Sequence, residues 1–216
     1  IHTVADGHEV AGDAAIVLFA VKPQVFDAVL AHVAEDISEG AVVVSIAAGI
    51  ATARIESHLK QGVAVVRVMP NTPAMVGSGM AVVSGGGSAD DGQVERVRQL
   101  FEAIGEAVVI DERHQDAATA ISGSGPAYIA LVIDALARAG VHEGLTREVA
   151  QRLAVQTVKG TAELLSATAM HPQELVDAVA SPGGTTIAAI TALEAGGMRP
   201  AFSEAVAAAV RRAREI

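Results

Sequence analysis

A chain of 216 residues that is 51% hydrophobic and 19% charged has enough apolar material for a substantial core, in one large domain or two small ones. Fifteen Lys and Arg against twenty-five Asp and Glu give a formal net charge of -10, which opposes nucleic acid or an anionic membrane as partner and favours a small molecule. Cysteine is absent, which excludes a disulfide framework, a thiolate zinc site and a Cys nucleophile and fits a cytoplasmic protein. No uninterrupted apolar run reaches the roughly 18 residues of a membrane span.

In chain order, residues 1–12 read as the middle of a strand and a turn, as though the chain were a fragment. From residue 15 to 110, Val- and Ile-rich runs alternate with amphipathic segments, the pattern of a parallel sheet with crossover helices. Strands are expected over 15–21, 41–46, 63–69, 80–84 and 107–110, the first three continuous enough to be buried on both faces. A helix over 24–35 follows Pro23 and presents Val25, Val29 and Val33. A second covers 52–60, and a third, over 90–103, has Val94, Val97, Phe101 and Ile104 as its buried stripe.

Beyond about Asp116 the strands stop, and helices are expected over 127–139, 147–167, 172–179, 186–194 and 199–215. The first is apolar nearly all round (AYIALVIDAL), as in a helix covered on every side, with another subunit as the expected cover. The polar stretch 111–116 marks the boundary, dividing the chain into 1–112 and 113–216. SGGGS at 84–88 reads as a surface loop.

In open α/β sheets ligands settle at the carboxyl ends of strands, so the loops there carry the information. Ala47-Ala48-Gly49 would let an extended ligand lie against bare backbone, or is a tight turn. Lys22 either meets a phosphate or is a solvated strand end. Between Pro70 and Pro73, Asn71 and Thr72 sit in a loop with two fixed φ angles; Asn71 either enters a site or closes an Asx-turn.

The richest stretch is Ser181-Pro182-Gly183-Gly184-Thr185-Thr186, leading into a helix. Unpaired N–H groups and the helix dipole there favour a carboxylate or phosphate, unless Thr simply caps the helix. Ser122-Gly123-Ser124-Gly125-Pro126 has the same anatomy, and its lack of a preceding Gly and strand argues against a nucleophilic Ser. The seven His residues show no HxH or HExxH spacing, so no metal is expected.

Taken together, FAVKP (19–23), AAG (47–49), RVMPNTP (67–73), SGSGPAY (122–128) and the run from Pro172 through SPGGTT to Leu193-Glu194 closely resemble pyrroline-5-carboxylate reductases, from about residue 15 to 214. The resemblance implies a Rossmann-like N-terminal domain, an all-helical C-terminal dimerisation domain, and in many members a ring of five dimers. It implies reduction of pyrroline-5-carboxylate to L-proline with NADPH or NADH. Ala20, Val21, Lys22, Pro23, Ala48, Gly49 and Asn71 would then hold the dinucleotide. Ser181, Gly183, Gly184, Thr185 and Thr186 would hold the substrate, with the Thr186 hydroxyl on the imine nitrogen.

The departure from the family's pattern is at the start, where the first strand and the G-x-G-x-x-G-like loop are missing from the α/β domain. Two other readings stay open: a Rossmann reductase of another cyclic imine or keto acid, and a non-catalytic helical oligomerisation module.

Overall fold

The computed structural model describes residues 3–215. Ile1 and His2 of the strand and turn expected over 1–12 lie outside the described residues, and the rest of that stretch forms turns and helix α1 (His8–Ala11) instead of a strand. Two compact units follow: residues 1–126 with 206–216, and residues 127–205. The division at 126/127 falls after the expected 112/113, because the segment following the sheet is pinned to it by the polar contacts described below.

The first unit carries a five-stranded sheet in the order of the chain: β1 (Ile16–Phe19), β2 (Val42–Ser45), β3 (Ala64–Met69), β4 (Gly79–Gly85) and β5 (Gly105–Val109). Helices α2 (Pro23–Val33) and α3 (Thr52–Glu56) carry the chain between β1, β2 and β3, which are parallel; α4 (Asp91–Glu102) does the same between β4 and β5. Not all neighbours are parallel, however. β4 runs antiparallel to β3, with Met69 opposite Val82. The connection explains it: Pro70 to Ser78 holds only a 3-10 turn (Thr72–Val76), too short for the dozen or more residues of a parallel crossover.

Alternation along the strands fills two cores. Val43 and Val65 face Phe26, Leu30, Ile37 and Ile55, while Val42, Val44, Val66 and Val83 face Val94, Val97 and Phe101. Burial on both faces therefore holds for β2 and β3, as their unbroken Val runs require. It fails for β1, an edge strand with Leu18 47% exposed.

Two helix faces also differ from expectation. In α2 the buried stripe is Phe26, Leu30 and Val33, and Val25 is exposed, because the larger Phe and Leu side chains remove more apolar surface from water than Val. In the third predicted helix, Val94, Val97 and Phe101 are buried, but α4 stops at Glu102 and leaves Ile104 outside it and exposed. Its start is well fixed: Asp90 accepts from the Gln93 amide (2.8 Å) while Gln93 accepts from that of Asp90 (2.9 Å).

After β5 the chain turns through a 3-10 turn (Glu112–His114), α5 (Gln115–Ala118) and a π-helical turn (Thr119–Gly123) into α6 (Gly125–His142). This helical run, 112–142, is long and apolar enough by composition to cross a membrane, although no single uninterrupted apolar run in the sequence is. The second unit continues with α7 (Arg147–Thr168), α8 (Pro172–Val179) and α9 (Thr185–Ala195), and α10 (Met198–Ala213) ends in the first. Its core is slight: Ala137, Ala150 and Ala154, flanked by Ile133 and Val141. In the single chain α6 leaves Ile129, Leu131 and Leu136 exposed.

Gly105 joins α4 to β5 at φ 148°, and a Cβ there would stand 2.0 Å from the Gly79 carbonyl oxygen of the neighbouring strand. Gly105→Ala is expected to destabilise the first unit by about 3 kcal/mol, since rigid backbone must move to admit the methyl. Urea unfolding of the variant beside the parent measures it.

Candidate active site

A cavity of about 390 Å³ opens in the first unit where β2 and β3 end. Pro23 and Gln24 at the start of α2, Ala48 and Gly49 after β2, and Arg67 and Met69 of β3 form one side. Asp116, Thr119, Ala120 and Ser124 of the post-sheet segment close the other, with Ala209, Arg212 and Ala213 of α10. The sheet's strand ends place the first group, as expected for an open α/β sheet. Exposed Ala48 and Gly49 bring at most a methyl to the wall. Gly49 has φ 74°, a left-handed conformation that glycine adopts without strain.

The second group is held by polar contacts. Arg67 is buried, its side chain 8% exposed, and it faces Glu112 (3.5 Å) and Asp116 (3.8 Å). Glu112 also accepts from the Thr52 amide (2.8 Å) and the Thr52 hydroxyl (2.5 Å), sixty residues away. Its carboxylate thereby caps α3, which has no side-chain cap of its own, and sits at the positive end of that helix.

Gln115 is fully buried and donates to the Val82 carbonyl (3.1 Å) and to the Ser84 hydroxyl (2.9 Å). Asn71 completes the clamp, donating to the Ser122 carbonyl (2.9 Å) and accepting from the Met80 amide (2.9 Å). Of the two uses expected for Asn71, its amide therefore takes neither the Asx-turn nor the cavity.

Of the residues predicted to hold a dinucleotide, the structure gathers Pro23, Ala48 and Gly49 in the cavity. Ala20 and Val21 line a separate apolar depression beside β1, and Lys22 and Asn71 line neither; Lys22 is exposed at the N-cap of α2. Sequence reasoning did not single out Arg67, Asp116, Thr119, Ser124 or Arg212 as cavity residues. Arg67 and Ser124 do lie inside the RVMPNTP and SGSGPAY landmarks, which was the available signal.

In the second unit the predicted substrate residues lie together between α8 and α9. Gly184, not a Thr, is the N-cap of α9, with no side-chain hydrogen bond to the free N–H groups of its first turn; Thr185 and Thr186 form that turn. Gly183 has φ 69°. A Cβ on Gly184 would meet Ser181 Oγ at 2.3 Å, so a side chain there would make the Ser181 hydroxyl turn away. Thr186 is half-buried, and Ser181 and Thr185 are exposed.

Residues 112–216 match the family profile described as pyrroline-5-carboxylate reductase dimerisation, and residues 2–49 match that of NADP oxidoreductase, coenzyme F420-dependent. Pyrroline-5-carboxylate reductase of a Synechocystis strain is 47% identical over 98% of this chain and 78% of its own length. The chain belongs to the pyrroline-5-carboxylate reductase family. The Arabidopsis thaliana member is 44% identical over the whole chain and 78% of that relative. The solved Coxiella burnetii member superposes with a TM-score of 0.94 at 37% identity, covering 100% of this chain and 80% of that one. The Plasmodium falciparum pyrroline carboxylate reductase, solved with NADP bound, gives 0.88 at 32%, covering 98% and 80%.

Family membership leaves the Arg67 network as a physical requirement of this cavity. Glu112→Ala leaves a buried guanidinium with one distant partner and strips the cap from α3, so a loss of about 3 kcal/mol is expected in chemical unfolding. A loss below about 1 kcal/mol, the range of an exposed pair, would mean that Asp116 alone compensates Arg67.

Proposed function

We propose that the chain reduces 1-pyrroline-5-carboxylate to L-proline with NADPH or NADH, the closing step of proline biosynthesis. The observation that carries this reading is the agreement of relatives 39 to 47% identical, each aligned over at least 93% of this chain and each named for that reaction.

The local geometry suits it. Ala48 and Gly49, beside the Pro23 ring, give a flat ligand a wall that carries no more than a methyl, and Ala20, Val21 and Lys22 are the proposed contacts for the rest of the dinucleotide. Asn71, its amide engaged by Ser122 and Met80, acts by fixing the loop after β3. The free N–H groups at the start of α9 suit the substrate carboxylate, with Ser181, Gly183, Gly184 and Thr185 shaping the turn around it.

When bound, the reduced nicotinamide supplies a hydride to the imine carbon, and the π electron pair withdraws onto the protonated ring nitrogen to give the secondary amine. The Thr186 hydroxyl holds that nitrogen by a hydrogen bond and fixes the face offered. Beyond this the residues orient, which in well-aligned systems lowers a barrier by up to roughly 7 to 11 kcal/mol.

The proposal includes a homodimer through the C-terminal helices, supported by the exposed Ile129, Leu131, Leu136 and Leu153 of α6 and α7. A ring of five such dimers and a cytoplasmic location belong to the same reading, and native mass measurement tests the assembly.

Addition of 1-pyrroline-5-carboxylate to the purified protein is expected to oxidise NADPH, followed by absorbance with NADH in parallel; no oxidation of either by folded protein overturns the assignment. Thr186→Val is expected to lower kcat about ten- to a hundredfold, the worth of one hydrogen bond to a charged group, with the KM for NADPH unchanged. Unaltered turnover removes Thr186 from the mechanism.

A further inference from the structure

Four titratable side chains that the cavity does not use meet on the surface of the first unit. Asp6 and His8 lie at the start of α1, and His32 and Asp36 at the end of α2. The His8 and His32 rings lie 4.1 Å apart between centroids, tilted by 59°. His32 Nε2 is 3.0 Å from Asp6 Oδ1, and His8 Nδ1 pairs with the Asp36 carboxylate. One ligand atom each from Asp6, His8 and His32 falls within 4.8 Å of the other two. All three are exposed, and none lines the cavity at the ends of β2 and β3.

We propose that Asp6, His8 and His32 form a surface site for a divalent transition ion of borderline softness, Zn²⁺ in the first place. Two imidazoles and one carboxylate are a set that suits such ions and leaves a fourth position for water. Two donors of one tetrahedral zinc are about 3.3 Å apart for bonds near 2.0 Å, so the Asp6–His32 pair already has close to the required separation. The His8 ligand atom lies within 4.8 Å of both, on an exposed ring of a four-residue helix.

The hydrogen bonds fix where the lone pairs are. A carboxylate only accepts, so Asp36 holds the proton of His8 on Nδ1 and leaves Nε2 to ligate, the carboxylate–histidine–metal arrangement common at zinc sites. His32 Nε2 lies 3.0 Å from Asp6 Oδ1, and an ion between them takes the Nε2 lone pair of the neutral ring while its one N–H sits on Nδ1. Bound there, the ion would tie α1 to the end of α2.

The test is Zn²⁺ titration of the purified protein by calorimetry at mildly alkaline pH, with Co²⁺ as optical probe. His8→Ala and His32→Ala are each expected to weaken Zn²⁺ binding about tenfold or more, and Asp36→Asn about tenfold through the His8 ring alone. The strong visible bands of four-coordinate Co²⁺ should appear in the parent and vanish in both His variants. Zn²⁺ should raise the melting temperature of the parent but not of the His8→Ala/His32→Ala double variant. Because these residues are exposed the variants should fold, with circular dichroism as the check and the near-isosteric Asp6→Asn as a second removal of a ligand. Equal Zn²⁺ affinity in the parent and the double variant, which retains the other five His residues, overturns the site, as do Co²⁺ spectra of the weak six-coordinate type. Neither result depends on reductase activity.

Discussion

The guanidinium of Arg67 sits inside the first unit, on a strand whose other residues are almost all apolar, and much of the structure around the cavity follows from its need for compensation. Desolvating a charge is tolerable only with partners in good geometry. Glu112 and Asp116 supply them, and both come from the segment after the last strand. That segment is therefore drawn onto the strand ends by charge rather than by a large apolar face, and Thr119, Ala120 and Ser124 arrive with it as the cavity's second wall. Because Glu112 also caps α3, three parts of the chain that are remote in sequence share one carboxylate.

The reversal at β4 works with this arrangement. A strand parallel to β3 would begin at the far edge of the sheet from the cavity. Because β4 is antiparallel, its first residues lie beside the end of β3, and the Met80 amide reaches the Asn71 side chain. Asn71 thereby links the strand reversal to the π-helical turn through the Ser122 carbonyl. The two prolines around it limit how far the loop can move, so one amide side chain suffices as the clamp.

Periodicity made the alternation of strands and helices legible, along with the switch to all helix and the approximate bounds of nearly every element. It could not give the direction of β4, since a strand's burial pattern is the same read either way; only the short connection to β3 holds that information. Nor could it choose the buried face of α2, where Val25-Val29-Val33 and Phe26-Leu30-Val33 both have helical spacing. In the site, the small residues Ala48 and Gly49 were readable because a missing side chain is itself a signal next to a strand end. The pairing of Arg67 with Glu112 was not, because nothing local marks two charges 45 residues apart as partners. His8 and His32 are likewise unremarkable until α1 and α2 pack.

Composition links the site to assembly. With aromatics at 2% and Ala, Val and Gly abundant, helices can approach closely: a Cβ on Gly140 of α6 would stand 3.1 Å from the Ala150 methyl of α7. Close approach of small side chains buries little apolar area per residue, so three alanines make a weak core for a unit of this length. The larger side chains, among them Leu131, Leu153 and Leu193, point outward from the single chain. On the proposed dimeric reading, covering those side chains supplies the apolar burial that the unit lacks by itself. Folding and association are then one equilibrium, and the protein's stability depends on its concentration. The first turn of α9, which carries Thr186, belongs to the same unit, so its order depends on that equilibrium too.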